Sequence, residues 1–299
     1  MGDSGWIVFQ LALPRFDVSV IEVWRYLSEF LLENKMLPKN FEVSQIAGHS
    51  RELQSEEYLR LDSREIENLI VRRDLTGFWV DSRGRFSYVL ERWRGFGGGS
   101  VLYCIPDRGA KGPSNWGSLI ERLMSSWDAI GGWQWRSAYA ACQGASELHR
   151  FYASLYGELP PGVIRSVEEV PNGLGPGREF IDTSRFPGRT KEILPTVSFH
   201  PSAEMWLGPD FWQYAKCTKE EVLAADFFLE KRDTPHFLYL KSWPEPFTRP
   251  DGEQGRQQQR LWKLFFHEDC EWPPGSGRIC DEPMYGPPEL MPGYKEKQE

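Results

Sequence analysis

Gly77-Phe78-Trp79-Val80-Asp81, Arg85-Phe86-Ser87-Tyr88-Val89-Leu90-Glu91 and Ser100-Val101-Leu102-Tyr103-Cys104-Ile105-Pro106 are three short runs rich in aromatic and β-branched residues. The turn signals Ser82-Arg83-Gly84 and Gly95-Phe96-Gly97-Gly98-Gly99 separate them, so the stretch spells an antiparallel meander. Upstream, Trp6–Leu13 is apolar, lies between Gly5 and Pro14, and has the length of a buried strand. Val20, Trp24, Leu27, Phe30 and Leu31 then recur at three- and four-residue steps. That spacing predicts an amphipathic helix of about 18 residues, capped by Asp17 or Ser19 and stopped near Pro38. Helical patterning is read again from Ser50 to Asp74 in at least two pieces, the second starting at Ser63. A further helix is read from Pro113 to Ile130, ended by Gly131-Gly132.

Downstream, 157–195 is rich in Pro and Gly and reads as loops with a strand or two near Val163–Val170. Lys219–Glu230 and Gln254–His267 read as helices flanking a strand at His236–Lys241. From Cys270 onward six prolines (Pro273, Pro274, Pro283, Pro287, Pro288, Pro292) argue for an extended tail. The expectation is an α+β chain: an antiparallel sheet packed with several helices over residues 1–270, possible as two tightly joined halves meeting near 150, and a Pro-rich tail over 271–299.

The chain has 299 residues, 35 Lys+Arg and 43 Asp+Glu, for a net charge of −8. An acidic balance argues against a nucleic-acid binder, whose footprint is a basic face. No apolar run approaches the roughly 20 residues that cross a bilayer, and the first residues carry no positive region of a secretory signal. A cytoplasmic protein without a membrane partner is expected. The five cysteines are odd in number and unpaired in spacing, which disfavours a disulfide framework. His267, Cys270 and Cys280 lack the tight pair of a zinc site, so no metal and no cofactor are expected.

Gly95-Phe96-Gly97-Gly98-Gly99-Ser100 resembles a dinucleotide loop in part. Ser100 stands where the third glycine belongs and a strand follows, so a hairpin loop is the better reading. Glu33-Asn34-Lys35 has the letters of a nuclease metal motif but closes a helix. The five histidines are dispersed. One pair is worth naming as an enzymatic alternative: His200 and Glu204, four apart, would share a face if that segment were helical. Most of the thirteen tryptophans are read as core, although aromatics also populate interfaces.

Several segments, in order, resemble the immunity protein 52 family of polymorphic toxin systems. They are the Trp24 helix, the stretch ending Arg72-Arg73-Asp74, Gly77-Phe78-Trp79, the Ser100–Pro106 strand, and the helix reaching Trp127 with Trp133 beyond it. The most specific is Phe199-His200-Pro201-Ser202-Ala203-Glu204-Met205-Trp206-Leu207-Gly208-Pro209-Asp210-Phe211-Trp212. The resemblance covers roughly residues 15–270 and implies a non-enzymatic protein whose partner is a cognate toxin with a restriction-endonuclease-like nuclease domain. Trp79, Glu204, Met205, Trp206, Gly208 and Phe211 are then structural landmarks. Toxin contact is expected on variable acidic loops, at Glu168, Glu169, Glu179 and Asp182, whose carboxylates can meet the basic lining of a nuclease cleft. A scaffold or chaperone for an effector would bind without silencing it.

Overall fold

A computed structural model describes residues 7–13, 20–34, 40–45, 51–54, 75–81, 84–90, 100–106, 116–127, 129–144, 158–159, 164–168, 178–182, 187–194 and 197–268. In chain order the elements are β1 (Ile7–Leu13), α1 (Val20–Glu33), β2 (Asn40–Gln45), β3 (Arg51–Gln54), β4 (Leu75–Asp81), β5 (Gly84–Leu90), β6 (Ser100–Pro106), α2 (Trp116–Ser126), β7 (Gly131–Arg136) and α3 (Ser137–Gly144). They continue with β8 (Ile164–Glu168), β9 (Arg178–Asp182), β10 (Lys191–Leu194), β11 (Val197–Phe199), β12 (Glu204–Leu207), a 3-10 turn over Pro209–Gln213, α4 (Lys219–Ala224), β13 (Glu230–Asp233), β14 (Leu238–Lys241) and α5 (Gly252–Phe266).

Ten strands form one antiparallel sheet in the order β13-β14-β12-β7-β1-β6-β5-β4-β2-β3. The meander read from the sequence is its middle: β4, β5 and β6 pair in succession, with Phe78 opposite Tyr88 and Tyr88 opposite Leu102. The glycine string at 95–99, expected to be a hairpin loop, lies outside the described residues. Strands from both sides of residue 150 share the sheet, because β12 pairs with β7 and β7 with β1. The fold class is α+β. The tail 271–299 lies outside the described residues.

Three local expectations are corrected. Arg51–Gln54 was expected to be helical, but it is β3, paired with β2 (Phe41 opposite Leu53), and β2 in turn pairs with β4. Tertiary pairing along the sheet overrides the weak local helix preference of a charged segment. The rest of the expected helical stretch, with Ser63 and Arg72-Arg73-Asp74, lies outside the described residues. Gly131-Gly132 was expected only to end a helix; it opens β7, one of the most interior strands, with Gly132 between Leu11 and Trp206 in register. A Cβ on Gly131 would sit 2.9 Å from the Trp133 ring, so the small residue lets neighbours approach closely. The helix expected to reach Glu230 stops at Ala224, and Glu230 begins an edge strand. Its start is sharply set by a capping box in which Thr218 and Glu221 bond each other's backbone N–H groups.

Helices pack on both faces of the sheet around β7 and β12. On one, α1 lies over β4 and β5, and α2 over β1, β7 and β12. These helices bury Trp24, Leu27, Phe30 and Leu31, and Leu119, Ile120, Leu123 and Met124, at the three- and four-residue spacing of a single stripe. They are linked by Arg122 and Glu33 (3.2 Å) and by an edge-on pair of Tyr26 and Trp127 rings, 5.2 Å between centroids. The other face carries the larger apolar cluster, in which Trp133, Met205, Leu207, Leu238 and Leu240 from the strands meet Leu261, Trp262, Phe265 and Phe266 of α5. The first half of α5 buries glutamines instead. Gln257 donates to the carbonyls of Phe227 and Ser242, both at 3.1 Å, and Gln258 accepts from the Tyr139 hydroxyl at 3.0 Å. Each amide answers a backbone or hydroxyl group that would be costly to bury alone. Among the described residues no helix is long and apolar enough to cross a membrane.

Candidate functional site

The segment from Phe199 to Trp212 runs through the apolar core. Phe199 is fully buried, its ring 5.0–5.4 Å from those of Phe266 and Phe265. The chain then turns through His200–Ala203, held by Ser242, whose backbone N–H donates to the Ala203 carbonyl (2.8 Å) and whose hydroxyl donates to that of Ser202 (3.1 Å). It continues as β12, with Glu204, Met205, Trp206 and Leu207 inserted between β7 and β14.

Alternation along β12 sends its side chains to opposite faces. Met205 and Leu207 join the α5 cluster. Trp206 faces α2, its indole N–H donating to Glu121 at 3.4 Å and its ring 5.4 Å from Tyr239. Glu121 also takes a bidentate pair from Arg232, whose guanidinium lies 5.0 Å over the Tyr239 ring. Burial pushes the Tyr239 hydroxyl well above its ordinary value, and the neighbouring carboxylates Glu204 and Glu230 add to that push. Gly208 crosses so close to the α2–β7 connection that any Cβ would collide with the Ala129 carbonyl oxygen. Pro209 starts the 3-10 turn that places Phe211 in the core, 5.8 Å from Phe199 and 5.6 Å from Phe265. The Trp79 landmark sits in β4, register-paired with Glu42 and Ser87.

His200 and Glu204 do not lie on one face of a helix. The segment is a turn and a strand, so spacing by four does not give a shared face. Glu204 forms an ion pair with Lys241 at 3.0 Å. The His200 ring lies flat on Trp135, 4.9 Å between centroids and 2° between planes. Burial pushes its pKa down to about 3, so the imidazole is neutral at physiological pH.

Around this ring is a cleft of about 280 Å³, its open mouth included, where β7, α3, α5 and the 200–202 turn meet. Gln134, Arg136, His200, Ser202, Tyr139 and Phe247 line it. The Ser202 hydroxyl and the Gln134 carbonyl oxygen are buried and have no hydrogen-bond partner among the described residues. No sequence signal pointed to this cleft, because its walls come from five separate stretches of chain.

The acidic residues expected at a contact surface lie elsewhere. β8 and β9 form a two-stranded ribbon outside the main sheet. Glu168 is paired in register with Arg178, Glu179 with Val167 and Asp182 with Ile164. Glu168 and Asp182 thus occupy positions of one parity along the ribbon and Glu179 the other. Glu169 lies outside the described residues.

Cys142 and Cys217 are buried free thiols. Burial first, then the charge of Glu221, pushes the Cys217 thiol up to about 12, which leaves it protonated and unreactive. Among the described residues no three or more His, Cys, Asp or Glu side chains gather closely enough to hold a metal ion.

No family model matches the chain, and neither does any curated protein. Among solved structures it is similar to a Pseudomonas aeruginosa T6SS protein, PA0821, with a TM-score of 0.51 at 11% sequence identity. That similarity covers 92% of this chain and 77% of the other, so the two share a fold along nearly the whole chain.

Proposed function

We propose that this chain is a non-catalytic inhibitor that neutralises a cognate toxin, a nuclease of the restriction-endonuclease-like kind, by stoichiometric association in the cytoplasm of the producing cell. The observation that carries this is the chain-long structural similarity to a T6SS protein, which agrees with the toxin-system family that the ordered sequence landmarks resemble. Two features of the site support it. The groups an enzyme would draw on at the 200–204 turn are already engaged, His200 against Trp135 and Glu204 with Lys241. The chain also carries a net charge of −8, which suits a partner with a basic cleft.

Contact is assigned to the β8–β9 ribbon. A two-stranded ribbon outside the main sheet can change its side chains without disturbing the core, which is what a partner-specific surface requires. Its carboxylates would speed association by long-range attraction, and the complex would weaken as salt rises.

The test is co-expression with the effector encoded beside this gene. The expected result is restored growth, a one-to-one complex on gel filtration with affinity of nanomolar order or tighter, and loss of nuclease activity in that complex. A complex that leaves the nuclease active would make the chain a scaffold or chaperone. Absence of any complex would overturn the proposal.

A further inference from the structure

At one end of the sheet the antiparallel pairing of β13 with β14 brings the start of one beside the end of the other, Glu230 opposite Lys241. The Leu229 N–H donates to the Lys241 carbonyl at 2.7 Å, and the Gln257 amide donates to the carbonyls of both Phe227 and Ser242 at 3.1 Å. Residues 227–230 and 241–242 therefore run side by side at one corner, with Trp243 and Glu245 just beyond. Leu229 is 61% exposed there, whereas Phe227 and Trp243 are half-buried. A lone exposed leucine is ordinary. The segments that carry this one also carry Asp226, Glu230 and Glu245, all exposed, and none of the three forms an ion pair among the described residues. The cations of the two strands are already committed, Lys231 to the carbonyls of Leu223 and Ala225, Arg232 to Glu121 and Lys241 to Glu204. The corner thus combines an exposed apolar side chain with unbalanced negative charge.

We infer that this corner is a second contact surface for the proposed toxin, taking an aliphatic or aromatic side chain that the toxin presents between lysines or arginines. The inference rests on the proposed function, which supplies a basic partner. Interfaces join an apolar centre to a polar rim, and a cationic rim on the partner balances the carboxylates that this chain leaves unpaired. A second copy of this chain at the same corner would set like charge against like. The two kinds of group have different tasks. Asp226, Glu230 and Glu245 act before contact, steering the partner and raising the association rate. Leu229 acts after contact, because an apolar side chain sealed from water slows dissociation. Leu32 on α1 has a similar exposure of 64%, but the carboxylate of its neighbour Glu33 is already held by Arg122, which makes Leu32 the control.

The test is surface plasmon resonance of the full-length chain against the purified nuclease domain of the effector encoded beside this gene, at low and at physiological salt. Leu229→Ala should dissociate about tenfold faster with association nearly unchanged. Leu229→Arg should weaken the complex further, since it sets a cation against the partner's own. Neutralising the rim (Asp226→Asn, Glu230→Gln and Glu245→Gln together) should slow association and flatten its salt dependence, with dissociation changed no more than about twofold. Leu32→Ala should bind like the parent chain. Thermal melts that match the parent are expected for all four variants, because every position is exposed. Leu229 variants that bind like the parent, while Glu168→Lys with Glu169→Lys weakens binding, would overturn the inference and leave the proposed function standing. A parent chain that binds no nuclease would overturn both.

Discussion

β12 and the β8–β9 ribbon are both short antiparallel elements, yet they meet opposite physical conditions. β12 is paired on both edges and packed on both faces: Met205 and Leu207 against the α5 cluster, Trp206 against α2. Each of its residues answers to several partners at once, so substitution there is felt as lost stability. Among the described residues the ribbon pairs only with itself and lies outside the ten-stranded sheet. Under the proposed function its acidic residues are where the toxin is met. Under that proposal, one chain keeps a rigid framework at β12 and carries its variable contact surface on the ribbon.

The comparison can be broken most severely at Phe211. Phe211→Ala would open a cavity between Phe199 and Phe265 and should cost about 4 kcal/mol in urea unfolding. A cost below 1 kcal/mol would mean that the core around β12 is loosely held. Gly208→Ala is next. Its Cβ meets the Ala129 backbone, which cannot rotate away, so about 3 kcal/mol is expected from forced backbone movement. A melting curve matching the parent chain would show that the two segments are not in firm contact.

A pH series sharpens the same contrast. His200 has a folded pKa near 3 against an ordinary 6.5, so the unfolded chain takes up the proton first as pH falls. Its contribution is complete above about pH 6.5 and is lost as pH drops toward 3. Between pH 7.5 and pH 5 it should reduce stability by about 2 kcal/mol. His200→Phe, which keeps the ring on Trp135, should remove that part of the slope; an unchanged slope would place the titrating group elsewhere.

The smallest stability effect, with a large effect on binding, is expected on the ribbon. The double change Glu168→Lys with Glu169→Lys should alter unfolding by no more than about 0.5 kcal/mol while slowing association with the toxin and flattening its salt dependence. Should that variant protect cells fully while Trp206→Ala loses protection without unfolding, framework and contact surface have been assigned the wrong way round.

How much was legible in the sequence depends on where each element finds its partners. The β4–β6 meander was readable because alternation, glycine turns and neighbouring strands lie within about thirty residues, where local signals agree with the final pairing. The α5 stripe of Leu261, Trp262, Phe265 and Phe266 was readable for the same reason, since the helical period is a property of the segment alone. The cleft was not. Gln134, Ser202, Tyr139 and Phe247 are unremarkable one by one, and only their convergence makes a cleft.

By itself, then, the sequence determined the helical and strand periods of the local elements and the structural, buried place of Trp206 and Phe211 that the resemblance implied. Tertiary structure alone decided that Gly131-Gly132 opens an interior strand, that the wholly charged Glu230–Asp233 becomes the sheet's edge, and that His200 and Glu204 part company. The reason in each case is that the deciding partner is remote. β7 needs the edges of β1 and β12, whereas β13 needs that of β14, along with Lys219 to meet Asp233 and Glu121 to meet Arg232. A strand's hydrogen bonds are closed by another part of the chain, whereas a helix closes its own, so strand identity here was settled only when distant segments met.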